Sequence, residues 1–227
     1  MIKIIKSAGL TLTVLLLSAC GSNSDTSDNG THSLAKLQST ALGVVYYGDL
    51  TGSDSNGATD FGGSITISNK AQTEFSGVMV TPRYITISVQ GIFLVYGDVG
   101  ELFIDDSGYI LSLTQNGTLC TPATLTRFPE TVKIGDEAML SVFSCNNSII
   151  SIELSWKTED AGNGNINFII TKTYSNSETA LFLSSTQSSY TINTSGNIVE
   201  FSAIFNTNDG YTLHYSTNPL APKVPVN

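Results

Sequence analysis

The side chains whose types and spacing could do chemistry fall in two groups. The first is a run of carboxylates in "DVGELFIDDSG", with Asp98, Glu101, Asp105 and Asp106. Hard divalent cations such as calcium take several carboxylate and carbonyl oxygens from a loop, so one reading of the run is a metal site. The same Asp and Gly residues are what a pair of hairpin turns demands. Their spacing is not that of an EF-hand loop, which favours the turns and leaves the metal as the weaker reading. The second group is the three cysteines: Cys20 directly behind an apolar run, and Cys120 and Cys145 in the body of the chain. The expectation for cofactors is none, apart from a covalent group on Cys20 argued below.

Other catalytic arrangements find little support. The chain holds no G-x-S-x-G elbow, no phosphate-binding glycine loop and no zinc signature. His214, in "YTLHYS", falls on the strand face of Thr212 and Ser216 and is expected to be exposed without a partner; His32 sits in a polar stretch and is expected to be solvated. Two distant acids could converge as a glycosidase pair, but no residue pattern favours it. "EDAGNGN", with Glu159, Asp160, Asn163 and Asn165, reads as a turn. Trp156 alternates in phase with Ile152 and Leu154 and is expected in the core, while Tyr46, Tyr47 and Tyr84 are the better surface aromatics for a glycan or other ligand.

The N-terminus explains Cys20. Lys3 and Lys6 precede an apolar stretch from Ala8 to Leu17, and small residues follow. These are the three regions of an export signal. A run of about 10 apolar residues is too short to span a bilayer as a helix. The sequence Leu17-Ser18-Ala19-Cys20 resembles the lipobox of bacterial lipoproteins. That resemblance implies a diacylglyceryl thioether on Cys20, cleavage before it, and acylation of the freed amine. Gly21, where an aspartate would resemble an inner-membrane retention signal, implies passage to the outer membrane by analogy. With Cys20 lipidated, Cys120 and Cys145 are left as an even pair in an oxidising compartment, and a structural disulfide is expected.

Composition sets the remaining bounds. Of 227 residues, 41% are hydrophobic and only 13% charged, so the chain can build a core and must wet its surface with hydroxyls and amides. The formal charge is -9, and loss of residues 1–19 removes two of the ten basic side chains, leaving eight against 19 acidic ones. Such a chain repels phosphate backbones, which excludes nucleic acid as a partner.

Along the mature chain, period-two alternation dominates. In "SIISIELSWK" Ile150, Ile152, Leu154 and Trp156 share a face against Ser151, Glu153, Ser155 and Lys157, and "NINFII" and "RYITISV" behave alike. Short Asn-, Asp-, Ser- and Gly-rich breaks separate the runs. The expected fold is all-β and mostly antiparallel, a sandwich or barrel-like set of sheets, after an N-terminal signal helix and a flexible tether. The expected divisions are a lipoprotein signal peptide over 1–19, the lipidated Cys20 and tether over 20–40, β units over 41–117 and 118–217, and a proline-rich tail over 218–227. The proline-containing stretch 121–138 marks the junction of the two units, although a single sandwich is also compatible. The segment from Leu119 to Tyr174 resembles parts of uncharacterised bacterial envelope proteins, which implies compartment and fold but no activity.

The function expected is that of a lipid-anchored envelope lipoprotein, non-catalytic, with a binding, adhesion or assembly role. Its expected location is the outer membrane, held through the lipid, and its protein or glycan partner is open. The alternative is a lipoprotein hydrolase acting on envelope or extracellular polymer.

Overall fold

The computed structural model describes residues 30–38, 45–57, 61–90, 95–115, 117–146, 149–217 and 221–223. The signal segment, Cys20 and the first part of the tether lie outside the described residues. In chain order the elements are β1 (His32–Ser33), α1 (Ala35–Gln38), β2 (Val45–Asp54), β3 (Phe61–Asn69), β4 (Thr73–Phe75), β5 (Val78–Gln90), β6 (Val95–Asp105), β7 (Ile110–Gln115) and β8 (Thr118–Pro122). They continue with β9 (Thr131–Val132), β10 (Glu137–Cys145), β11 (Ile150–Gly162), β12 (Asn165–Asn176), β13 (Phe182–Ile192), β14 (Ile198–Thr207), β15 (Thr212–Thr217) and β16 (Ala221–Lys223).

Alternation decides the architecture. On β12, Ile166, Phe168 and Ile170 are buried, and through the register they meet the inward residues of both neighbours, such as Trp156 of β11 and Tyr190 of β13. The intervening Thr171 and Thr173 stand beside Ser155 and Glu153 on one side and Gln187 and Ser185 on the other, a polar outer ladder. Each strand therefore has one dry face and one wet face, which an antiparallel sheet satisfies by curling around its own apolar side. Twelve strands do so, each pairing with the next antiparallel, and β15 closes the ring on β2 through contacts such as Tyr215 with Gly52. Of the two architectures expected, the barrel is the one formed.

The boundary expected near residue 118 falls inside this sheet. β8 pairs with β7 on one side and β10 on the other, so the halves 41–117 and 118–217 share one ring and one core rather than forming separate units. The proline-containing crossover between β8 and β10 is not a linker either. It folds over one end of the barrel, where Phe128 and Val132 are 1% exposed. Thr158 fastens it, donating its hydroxyl to Lys133 O and Asp136 O while its N–H donates to Asp136 O at 2.8 Å.

The tether also ends earlier than expected. Residues 32–38 are docked rather than flexible: β1 pairs with β9, Leu34 N–H donates to Glu130 O at 2.8 Å, and one turn of helix buries Leu34 and Leu37. His32, expected in solvent, is 7% exposed. A barrel of twelve strands is wider than one its own side chains readily fill, so one end takes these additional apolar residues as a plug. Of the proline-rich tail, Ala221–Lys223 add β16 to the outer part of β2, with Pro222 opposite Tyr46.

Toward the other end the walls meet directly. Ile85, Leu102 and Leu113 from β5–β7 face Leu154, Ile170 and Tyr190 from β11–β13 around a cavity of about 30 Å³, room for a water or two. Lys172 reaches across, and a Cβ added at Gly100 would lie 3.2 Å from its Nζ. Aromatic rings fill the centre: Phe168 stands 5.5 Å from Trp156 and 5.7 Å from Phe128 between ring centroids.

Cys120 and Cys145 are directly opposite on β8 and β10, with Cα atoms 3.9 Å apart, and form a disulfide. It closes the loop that contains the crossover and β9. Loop-closure entropy for a separation of 25 residues corresponds to about 3.5 kcal/mol. Exchange of both cysteines for Ala is therefore expected to lower the unfolding free energy by about 3 kcal/mol, read from urea titrations. A midpoint unchanged from the native protein would show that the sheet alone sets the geometry of this loop.

Candidate functional site

A recess lies at the plugged end, where the end of β3, the connection to β4, the start of β5, the β6–β7 turn and the crossover converge. It encloses about 270 Å³. Its floor comes from β5, where Thr81 and Arg83 continue the inward register of Ile85. Arg83 is 6% exposed and Thr81 7% exposed, and the Thr81 hydroxyl has no hydrogen-bond partner among the described residues. Asn69, opposite Arg83 on β3, completes this side.

The rim is carboxylate-rich and internally bonded. Asp105 Oδ1 accepts from Ser107 N–H at 2.9 Å and Tyr109 N–H at 2.8 Å, while Gly108 turns the chain with φ +84. Gly108 O then accepts from Phe128 N–H at 2.9 Å, and a Cβ at Gly108 would lie 3.3 Å from Arg127 Cγ and Nε. The turn thus holds the Arg127 side chain flat against the rim, where its guanidinium pairs with Glu130. Across the mouth, Gln72 Nε2 donates to Asp106 Oδ1 at 2.8 Å.

This arrangement accounts for the carboxylate run read from sequence. Asp105 and Asp106 line the recess as a turn. Glu101 is directed to the outer face beside Tyr84, where Lys70 Nζ lies 3.2 Å from its carboxylate and 4.1 Å from the Tyr84 ring centroid. Asp98 is placed in β6 opposite Ile87, with its side chain outside the described atoms. Glu101 is therefore not clustered with Asp105 and Asp106, since it stands on the outer face while they line the recess. Among the described residues no three His, Cys, Asp or Glu side chains gather where a metal ion could sit.

His214 is exposed, as expected, in an open groove of about 530 Å³ on the outside of β2, β14 and β15, among Thr51, Ser53, Ser202 and Ser216. No hydrogen bond joins it to these hydroxyls among the described residues. At the end opposite the plug, the Asp209 carboxyl is held below the usual carboxylate range, first by the Thr207 hydroxyl and then by Tyr211 N–H. The Tyr211 phenol is pushed up, chiefly by burial and then by Asp54. Trp156 packs against the core, while the side chains of Tyr46 and Tyr47 lie outside the described atoms.

The floor residues escaped the sequence reading. Arg83 had a signal: a cation in phase with Ile85 and Ile87 falls in the dry register, where a charge has to be partnered. Thr81, Asn69, Gln72 and Arg127 had none, since their convergence depends on β3, β5 and the crossover meeting at one end. Comparison with known protein families, curated proteins and solved structures finds no match for this chain.

Proposed function

We propose that this protein is a lipid-anchored component of the bacterial envelope whose barrel, non-catalytic, stands in water as a rigid binding body with its plugged end toward the membrane. The observation that carries this reading is the point of entry of the chain. His32, the first strand residue, sits in the plug twelve residues after Cys20. Even fully extended, that separation reaches only about 40 Å, so a lipid on Cys20 keeps the plugged end near the bilayer and directs the β12–β13 and β14–β15 turns away from it. The outer ladder of Ser155, Thr171 and Gln187 supports a barrel in water, since a barrel embedded in lipid presents an apolar band outward. The location that fits is the outer membrane, on the strength of Gly21.

Mass spectrometry of the protein extracted from membranes tests the anchor. The expected N-terminal peptide begins at Cys20 and carries a diacylglyceryl mass on sulfur with a further acyl chain on the amine. A mature chain with an unmodified thiol at Cys20, or one beginning at another residue, overturns the proposal.

A further inference from the structure

We infer that the plugged end makes a second, shallow contact with the bilayer through an arc of exposed apolar side chains: Val78, Met79, Tyr109, Leu125 and Met139. The inference rests on the lipid-anchor reading and deepens it, since the lipid brings this end to the membrane and the arc decides how the barrel lies there. Leu125 is 56% and Met139 58% exposed, and the other three are between 41% and 47%.

Placement is the first observation. β4 and β5 form a hairpin turned at Ser76 and Gly77, and β6 accompanies β5 only as far as Val80 opposite Asp105, so Val78 and Met79 stand beyond the β6–β7 turn. Tyr109 follows that turn and bridges to Arg127. The crossover then carries Leu125 between β7 and β10, with Ile110 N–H donating to Thr126 O at 3.0 Å and Ala123 N–H to Val142 O at 2.8 Å. Met139, beside the bulge of β10, stands opposite Ser155 of the outer ladder. These elements are consecutive in the ring, so the five side chains follow one side of one rim. Past β10 the outer face turns polar, beginning with the Lys157–Glu159 pair of β11.

Reach and charge name the occupant. Twelve residues separate Cys20 from His32, so this rim is the part of the barrel that an anchored chain holds beside lipid. With eight basic side chains against 19 acidic ones after loss of residues 1–19, the chain is not drawn to anionic headgroups, and the contact has to be apolar. Side chains half open to water leave it by entering the boundary of headgroups and acyl chains, about 5–10 Å deep. The contact orients the barrel without holding it. Among the described residues Ile149, Leu181 and Phe182 form another exposed apolar group, at the β10–β11 and β12–β13 turns. The tether keeps that end away from the bilayer, and it supplies the control.

The test uses the lipidated protein extracted from membranes and returned to phosphatidylcholine vesicles, with or without bromine on the acyl chains. Met79→Cys, Leu125→Cys, Met139→Cys and the control Leu181→Cys are each labelled with a nitrobenzoxadiazole fluorophore; Cys20 is acylated and Cys120 and Cys145 are joined, so the added thiol alone reacts. Bromolipid is expected to lower emission about twofold at 79, 125 and 139 and by less than about a tenth at 181, in low salt and in about 1 M salt alike. Leu125→Ser combined with Met139→Ser should halve the quenching at position 79 while flotation with the vesicles and the urea midpoint hold, since both residues are exposed. Protein that floats but is quenched no more at 79, 125 and 139 than at 181 overturns the inference and leaves the anchor standing. Protein that does not float refutes the anchor, and the inference with it. Blue-shifted emission at 125 and 139 without bromolipid quenching, together with a doubled mass, would give this face to a second copy of the chain and also overturn the inference.

Discussion

Exchange of Cys20 for Ala is expected to transfer essentially all of the protein from the membrane fraction to the soluble fraction, and to leave the precursor uncut. Each buried methylene of an acyl chain contributes about 0.8 kcal/mol, and while one chain binds only marginally, two or more hold a protein for practical purposes permanently. Nothing else in the described chain replaces that attachment. No described helix is long and apolar enough to cross a membrane, and on β11–β13 the outer residues Glu153, Ser155, Thr171, Thr173, Ser185 and Gln187 form a polar ladder. The apolar run from Ala8 to Leu17, retained in the uncut precursor, is about half the length a spanning helix needs. Fractionation followed by a high-salt wash reads the result. Retention of the Cys20→Ala protein at the level of the native one would show a second attachment and sink the lipid anchor as the reason for its location.

Features of the fold were legible to different degrees because they rest on interactions of different range. Alternation such as Ile152, Leu154 and Trp156 against Glu153, Ser155 and Lys157 is local, since a strand with one dry face must repeat every second residue. The antiparallel class followed from that pattern and from the short breaks between runs. Closure was not legible, because the pairing of Leu213 with Asp54 joins residues from the two ends of the body and no residue near either announces the other. The stretch 121–138 misled for a related reason: prolines and weak alternation mark a linker and a cap equally well, and only the burial of Phe128 and Val132 distinguishes them. At the recess, Asp105 and Asp106 were rightly suspected of being turn residues. What the turn faces became visible only once β5 had brought Thr81 and Arg83 beneath it.

The plug carries the second large effect. Leu34→Ala combined with Leu37→Ala is expected to reduce the unfolding free energy by roughly 4–6 kcal/mol. Leu34 is 0% and Leu37 2% exposed, both in the cluster that contains Phe128, Val132 and Phe168. Truncation of one such leucine costs about 2–5 kcal/mol, transfer plus residual cavity, and because the two are neighbours in one plug the second cavity is partly shared with the first. A loss of this size is comparable with the whole stability of many domains, about 5–15 kcal/mol, although two side chains among 227 residues are changed. Its origin is the width of a twelve-stranded ring, since collapse around the lost volume is opposed by hydrogen bonds that fix each strand to two neighbours. Fluorescence of Trp156, which packs against Phe168, reports the transition in urea, and exposed Ala35→Ser serves as the control, expected within about 0.5 kcal/mol of the native protein. Hydrogen exchange should rise first at residues 128–132 and at the β12 residues Ile166 and Phe168, which face the plug. A double variant that loses less than about 1 kcal/mol would mean that the end of the barrel closes without residues 32–38. Those residues would then be a tether after all, and the argument that they orient the plugged end toward the membrane would fall with them.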